Sequence, residues 1–293
     1  MKFLEAYRLG SYQHFRTWLE EAWKESGGEV KRDLKIPWVV KQLIGRLGLC
    51  FTPKRMPPKM PREQLLVACG GRPENFVWPW CYWYEIVPVM WDCWPKYQVN
   101  LPRVLRRLRV RTIFCTSSQT AAYVRAQCPQ IKAIWLPEGI KVCLYPMGPQ
   151  LQERHHDVLC IGRDVGGEIR YRTHAELTSA MRDHKIMICR PRCDTNPKSA
   201  GNIETLTQRY WEAMLSGCVI IGRAPQELIE VCGYNPVVEA REEEYGRCIE
   251  NVLRNLLAYQ PLVDKNRAFA VCYADWSKRV CLIRTELGQV KNS

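Results

Sequence analysis

Between residues 158 and 240 short apolar runs alternate with helical patterns, and this alternation limits the fold more than any other feature. "VLCIG" (158–162), "KIMICR" (185–190), "CVIIG" (218–222) and "PVVEA" (236–240) read as strands. Between them "THAELTSAMRDH" (173–184), residues 205–216 and "APQELIEVCG" (224–233) read as helices. Strands that are apolar throughout are buried on both faces, which is the pattern of a parallel sheet covered by its crossover helices. Two long helical segments follow, 242–259 and 261–287.

The first half repeats the theme less clearly. Segments 64–71, 85–95 and 111–118 read as strands, 101–109 and 118–127 as helices, and 132–140 closes the set. A helix fits 11–25, and the basic, Pro-rich "FTPKRMPPKMPR" (51–62) reads as a loop. The polar stretch "YPMGPQLQERHHD" (145–157) is the clearest seam. A chain of 293 residues is long enough for two α/β lobes. The expectation is therefore an α/β protein of two lobes joined by a short linker, divided into 1–147 and 148–293.

Composition excludes several classes. No apolar run approaches the ~18 residues of a membrane-spanning helix. The start, "MKFLEAYRLGSYQHF", carries Glu5 and lacks the apolar core of a secretory signal. Fifteen cysteines without an export signal point to a reducing cytoplasm and buried thiols. Cys189 and Cys193, with His174 and His184 upstream, lack zinc-site spacing and read as core cysteines, so no metal is expected. Charge is uneven: residues 1–150 hold 23 Lys+Arg against 11 Asp+Glu, while 151–293 hold 20 against 19. The first half is thus suited to an anionic partner: a membrane surface, a phosphate-bearing substrate or nucleic acid.

"NIETLTQRYWEAMLSGCVIIG" (202–222) places Glu204 and Glu212 eight positions apart. Leu206, Tyr210, Ala213, Met214 and Gly217 form one apolar helical stripe, and Glu212 lies roughly 145° from its centre at about 100° per residue. It is expected to point toward solvent or a cleft. Glu204 falls in the cap region, where Thr205 or Thr207 would bond the first amides. The carboxylates would then stand about 10–12 Å apart. That is too far for a catalytic pair on one bond, but a good length for gripping both ends of a nucleotide sugar around phosphates at a helix N-terminus. The alternative for each is a solvated glutamate.

This segment resembles the donor-binding stretch of retaining GT-B glycosyltransferases, whose E-x7-E signature precedes a glycine and a β-branched strand. The following "RAPQELIEVCGYNPVVE" is similar too. The likeness runs from about residue 89 to 287 and is most specific at 202–240. It implies an α/β fold of two Rossmann-like lobes facing a cleft, an acceptor-side first domain and a nucleotide-sugar-binding second one, with a terminal helix at about 276–287 returning to the first. It also implies that Glu204 contacts sugar hydroxyls and Glu212 the nucleotide ribose. An Arg and a Lys six apart after the first strand of the second lobe would offset the diphosphate charge. Arg163 stands in place, but Ile169 replaces the lysine, leaving Arg170 or Arg172 to substitute, with Arg190 and Arg192 as further candidates. In "VMWDCWP" Trp91 stands where a His often begins the acceptor site, and Asp92 remains at a strand end, where open sheets bind ligands. A capping role for Asp92 is the alternative. Gly70 and Gly71 after "LLVAC" would let backbone approach the diphosphate, or simply make a tight turn.

The implied reaction is transfer of a sugar from a nucleotide-diphosphate sugar to an acceptor hydroxyl with retention, in cell-envelope or surface polysaccharide synthesis. Glu204 and Asp92 would be the catalytic carboxylates. Absence of Asp-x-Asp points to a metal-independent mechanism, with the nucleotide sugar a co-substrate and no cofactor. A dehydrogenase would need G-x-G-x-x-G after a strand, which neither "CGGRPEN" nor "GRDVGGE" supplies. Nucleic-acid binding has the basic half in its favour but no motif; an inert sugar-nucleotide binder is the third rival. In "PRVLRRLRVR" (102–111), Val104, Leu105 and Leu108 share one side, ringed by Arg103, Arg106, Arg107, Arg109 and Arg111, the first four being the likeliest contacts. Such a segment suits an anionic membrane or a lipid-linked acceptor, placing the protein in the cytoplasm, peripheral on the inner membrane face. The alternative is that its apolar side packs on the sheet.

Overall fold

The computed structural model describes residues 1–6, 15–50, 62–161, 171 and 173–288. The chain divides into two compact units. The first comprises Met1–Pro137, Lys198–Ile203 and Arg279–Ser293; the second comprises Glu138–Pro197 and Glu204–Lys278.

The first unit is built on six parallel strands: β1 (Lys2–Leu4), β2 (Glu29–Lys31), β3 (Gln64–Cys69), β4 (Glu85–Met90), β5 (Thr112–Cys115) and β6 (Lys132–Trp135). Their order is β2-β1-β3-β4-β5-β6, which puts the topological switch between β1 and β3. Leu65, Val67, Ile86, Ile113 and their neighbours are buried, as continuous apolar runs in a doubly covered sheet require. Among its helices are α1 (Phe15–Glu25), α2 (Trp38–Leu47), α3 (Leu101–Arg107) and α4 (Ser118–Gln127). The side chain of Ser117 accepts from the Thr120 amide and caps α4. On α3, Val104 and Leu105 are buried with Leu108 just beyond, while Arg103, Arg106, Arg107 and Arg109 are exposed. The apolar side of the 102–111 segment thus packs inside the unit, the alternative that its sequence left open, and its arginines stay on the surface. Two short strands, β1 and β2, and helix α2 complete a region where sequence suggested only one helix and a loop; residues 51–61 of that loop lie outside the described set.

The second unit holds four parallel strands in the order β10-β9-β8-β7. They are β7 (His156–Leu159), β8 (His184–Cys189), β9 (Val219–Gly222) and β10 (Val238–Glu239). Helix α5 (His174–Asp183) opens on a full capping box, Thr173 with Glu176. Helix α6 spans Gln208–Ser216, and α7 Gln226–Cys232. Helices α8 (Tyr245–Arg254) and α9 (Leu256–Tyr273) follow, and the last helix, α10 (Trp276–Glu286), belongs to the first unit from Arg279 on. The expected break at Pro261 is absent: Pro261 sits inside α9, and the chain turns instead at Asn255, whose φ of −126° leaves the helical region.

Helix α6 differs from its expected form in two ways. It begins at Gln208 rather than 205, and no side chain caps it at Thr207. Residues Tyr210–Ser216 are all buried, Glu212 included. The outward side is covered within the same unit: the Trp211 ring stacks on Phe269 of α9 at 6.4 Å, and its Nε1 donates to the Glu138 carbonyl at 2.8 Å. Glu212 therefore faces protein rather than solvent, a correction to its periodicity-based placement.

Candidate functional site

In the second unit the carboxyl ends of β8, β9 and β10 meet a cavity of about 450 Å³. Its lining includes Arg190, Asp194, Arg223, Glu239, Glu242 and Tyr245. Two of these follow a strand directly: Arg190 comes after Cys189, the last residue of β8, and Arg223 after Gly222, the last of β9. Gly222 is required where it stands. Its φ is 140°, and a Cβ there would lie 2.0 Å from the Cys189 carbonyl oxygen, so the neighbouring strand end leaves no room for a side chain.

Arg223 organises one wall. Its Nε and one terminal nitrogen meet Asp194 Oδ2 and Oδ1 at 2.6 and 2.8 Å, a two-pronged fork, and the other terminal nitrogen donates to Glu204 Oε1. Glu204 Oε2 accepts from the Gln226 amide at 2.9 Å, at the start of α7. Hydrogen bonding from Arg223 holds the Asp194 carboxyl below the ordinary carboxylate range. Asp194, followed by Glu204, raises the guanidinium's own pKa in return. On the opposite wall Arg190 donates to Glu242 Oε2 at 2.7 Å and lies over the Tyr245 ring at 5.9 Å.

Glu212 belongs to a neighbouring cluster. Its Oε1 accepts from Tyr145 Oη at 3.0 Å, and Oε2 is 3.7 Å from Arg209 Nε. His174 Nε2 lies 3.0 Å from the same tyrosine oxygen. Burial, then the Glu212 carboxylate, pushes the Tyr145 pKa up, so the hydroxyl stays a proton donor at any physiological pH. Cys160, just past β7, joins the two clusters. Burial raises its thiol pKa, while the charges of Arg190 and then Arg209 oppose that rise.

The remaining expected residues fall as follows. Thr205 is half-buried in the stretch leading into α6. Arg163 and Arg170 lie outside the described residues. Gly70, Gly71 and Asp92 are in the first unit, at the carboxyl ends of the adjacent strands β3 and β4. Asp92 is exposed, with a left-handed φ of 51°, a conformation Asp tolerates better than most residues. A Cβ on Gly71 would overlap the Tyr97 ring, so this glycine is needed for packing. At Gly70 the nearest group is the Arg16 guanidinium, 3.2 Å from the Cβ position. Sequence reading missed Arg223, Asp194, Arg209, Glu242 and Tyr245. A usable signal existed for Arg223, because an arginine directly after a buried parallel strand lies on the ligand-binding edge. Asp194, Glu242 and Tyr245 come from loops and helix starts that carry no spacing rule. Among the described residues no group of His, Cys, Asp and Glu is arranged to hold a metal ion.

Two α/β units, each built on a parallel sheet, make the GT-B fold, and solved structures show that likeness over nearly the whole chain. One is sucrose-phosphate synthase from Thermosynechococcus elongatus, at 11% identity and a TM-score of 0.66, covering 98% of each chain. Another is Anabaena HepE in complex with UDP, at 11% identity and a TM-score of 0.62, covering 99% of this chain and 100% of that one. Trehalose-6-phosphate synthase, OtsA, is similar at 8% identity and a TM-score of 0.51, covering 96% and 83%. At these identities what is shared is the fold. No protein-family model matches the chain, and no curated protein matches it.

Proposed function

We propose that the protein is a glycosyltransferase that moves a sugar from a nucleoside diphosphate sugar to an acceptor hydroxyl, holding the donor in the second unit. The observation that carries this reading is the cavity at the carboxyl ends of β8–β10, with Arg190, Arg223 and paired carboxylates converging on it. The fold, shared with a protein solved with UDP, supports it. Arg190, Arg223 and Arg241 are balanced in the lining by Asp194, Glu239, Glu242 and Glu244. A cavity so balanced suits a nucleoside better than a bare diphosphate, and the Tyr245 ring offers a face to the base. The diphosphate belongs toward Cys160, whose thiol feels the charges of Arg190 and Arg209, with Arg163 and Arg170 adding to the grip. Glu204, held by Arg223, serves the sugar, and Glu212 the ribose side. Transfer with retention and without metal then relies on positioning and on guanidinium charge opposite the leaving diphosphate. Asp92 and the exposed arginines of α3 are assigned to the acceptor, a glycan or lipid-linked hydroxyl of the cell envelope.

A thermal-shift panel of nucleoside diphosphates and nucleotide sugars tests the donor site. A specific ligand at 100 times its Kd stabilises by about 2.7 kcal/mol. Glu204→Ala is expected to remove most turnover, Arg209→Ala to weaken binding of the diphosphate more than of the nucleoside, and EDTA to leave activity intact. No stabilisation by any member of the panel, or full turnover in Glu204→Ala, would defeat the reading.

A further inference from the structure

Helix α2 presents an apolar stripe outward. Val39, Leu43 and Leu47 fall at i, i+4 and i+8, one face of the helix, and are 74%, 53% and 65% exposed. Val40 on the helix, with Leu34 and Leu49 on its flanks, is exposed as well. The opposite side is well anchored. Ile44 is buried, Lys41 is buried in an ion pair with Asp33, and the Trp38 ring packs 5.1 Å from Phe76. Exposure of the stripe is thus a property of a docked helix, not of one that has failed to find its core. A single 3-10 turn at Trp80–Tyr82, leading into Trp83, is fastened to both flanks of α2. Trp80 Nε1 donates to Asp33 Oδ1 at 3.0 Å, and Tyr82 Oη donates to the Leu49 carbonyl. This turn carries Trp83, 60% exposed, an amphipathic ring of the kind found at membrane–water boundaries. Apolar groups gathered this way mark an interaction surface, whereas single exposed ones do not.

Charge identifies the occupant. From Leu34 to Cys50, the described residues around the helix, there is no acidic residue, and Lys35 and Arg46 are exposed beside the stripe. A second copy of the chain would bring the same positive rim against itself. A bilayer with anionic headgroups satisfies both parts, taking the aliphatic stripe at the acyl boundary and the cations at the phosphates. We propose that the outward face of α2, with Trp83, is a docking surface for an anionic bilayer on which the protein rests peripherally. This surface is distinct from α3, whose apolar side is buried and which offers only its arginines. The proposal is independent of the donor reading, because its test uses no nucleotide.

The test is flotation of the full chain with phosphatidylcholine vesicles, with and without phosphatidylglycerol. Binding is expected to the anionic vesicles, to be weak on the neutral ones, and to fall several-fold as salt shortens the screening length from about 10 Å at 0.1 M to about 3 Å at 1 M. The triple variant Val39→Gln, Leu43→Gln, Leu47→Gln is expected to lose at least tenfold in partition while keeping its circular dichroism and melting temperature. Leu43→Glu alone serves if the triple variant does not fold, with the same direction of effect. Flotation of either folded variant like the wild type would overturn the proposal, as would no flotation of the wild type on anionic vesicles. A wild-type dimer that the variants convert to monomer would assign the face to a second copy instead.

Discussion

Arg154 and Arg223 both belong to the second unit, yet they meet different partners and predict different behaviour. Arg154 is buried and donates to three carbonyl oxygens, those of Pro149, His184 and Ser216, at 3.0, 2.7 and 2.9 Å. Burial lowers its pKa, so the carbonyl dipoles are what keep the charge tolerable there. Arg154→Leu strips a donor from three buried carbonyls. With bonds to charged groups worth about 1.5–3 kcal/mol each, a loss of roughly 3 kcal/mol or more is expected in urea unfolding. Arg154→Lys keeps the charge but not the planar fork, and should fall between. Arg223 is partly exposed and pairs with carboxylates, so its effect is smaller and depends on pH. Because the Asp194 pKa is depressed in the fold, the fork's contribution is complete above the ordinary carboxylate value, near pH 4, and is lost as pH falls through the lowered folded value. The melting difference between wild type and Asp194→Asn should therefore stay flat from pH 8 to 5 and shrink below 4. A difference that grew on acidification would contradict this assignment.

Among the elements, those buried on both faces were the most legible in the sequence. Strands β3–β5, β8 and β9 announced themselves as apolar runs, and helix α4 matched its reading residue for residue. The edge strands β7 and β10 are more exposed, β7 beginning at His156, ahead of its apolar run, and β10 shrinking to Val238–Glu239. What escaped were β1 and β2, three residues each, the second reading Glu-Val-Lys, and α2, whose stripe faces outward instead of core. Helix α6 shows the limit of periodicity most clearly. An apolar stripe locates one buried face, but it cannot reveal that the other is covered too, so Glu212 reads as facing solvent or a cleft when it is buried and accepts from Tyr145. This changes how a variant must be read. Glu212→Ala leaves a buried hydroxyl with one partner fewer and should cost about 1–3 kcal/mol in denaturant unfolding with no ligand present. Glu212→Gln keeps an acceptor for that hydroxyl and should retain most of the stability. A rise in donor KM shared by both variants would then report ribose contact, whereas one confined to Glu212→Ala would report a disturbed helix.

Across the whole molecule the charge and the cavity fall on different sides of the sequence. Residues 1–150 carry the excess of Lys and Arg, while 151–293, which include every lining residue of the cavity, hold 20 basic against 19 acidic residues. Net charge was legible from composition, but the local pairing of Arg223 with Asp194 and Glu204 was not, since it joins three loops distant in sequence. If nucleotide recognition rests on those local fixed groups, it should vary little with ionic strength, because close and partly buried pairs are poorly screened. Binding of the basic half to anionic surfaces should vary steeply. Hydrogen exchange with and without UDP separates the two. Slowed exchange is expected at 190–194, 223–227 and 239–245, the strand ends and loops around the cavity, with no change at 38–49 on α2. Adding anionic vesicles without nucleotide should reverse that map, slowing 38–49 and leaving the cavity loops as they were. Protection by UDP centred on the first unit would move the donor site away from β8–β10, even if the nucleotide binds tightly.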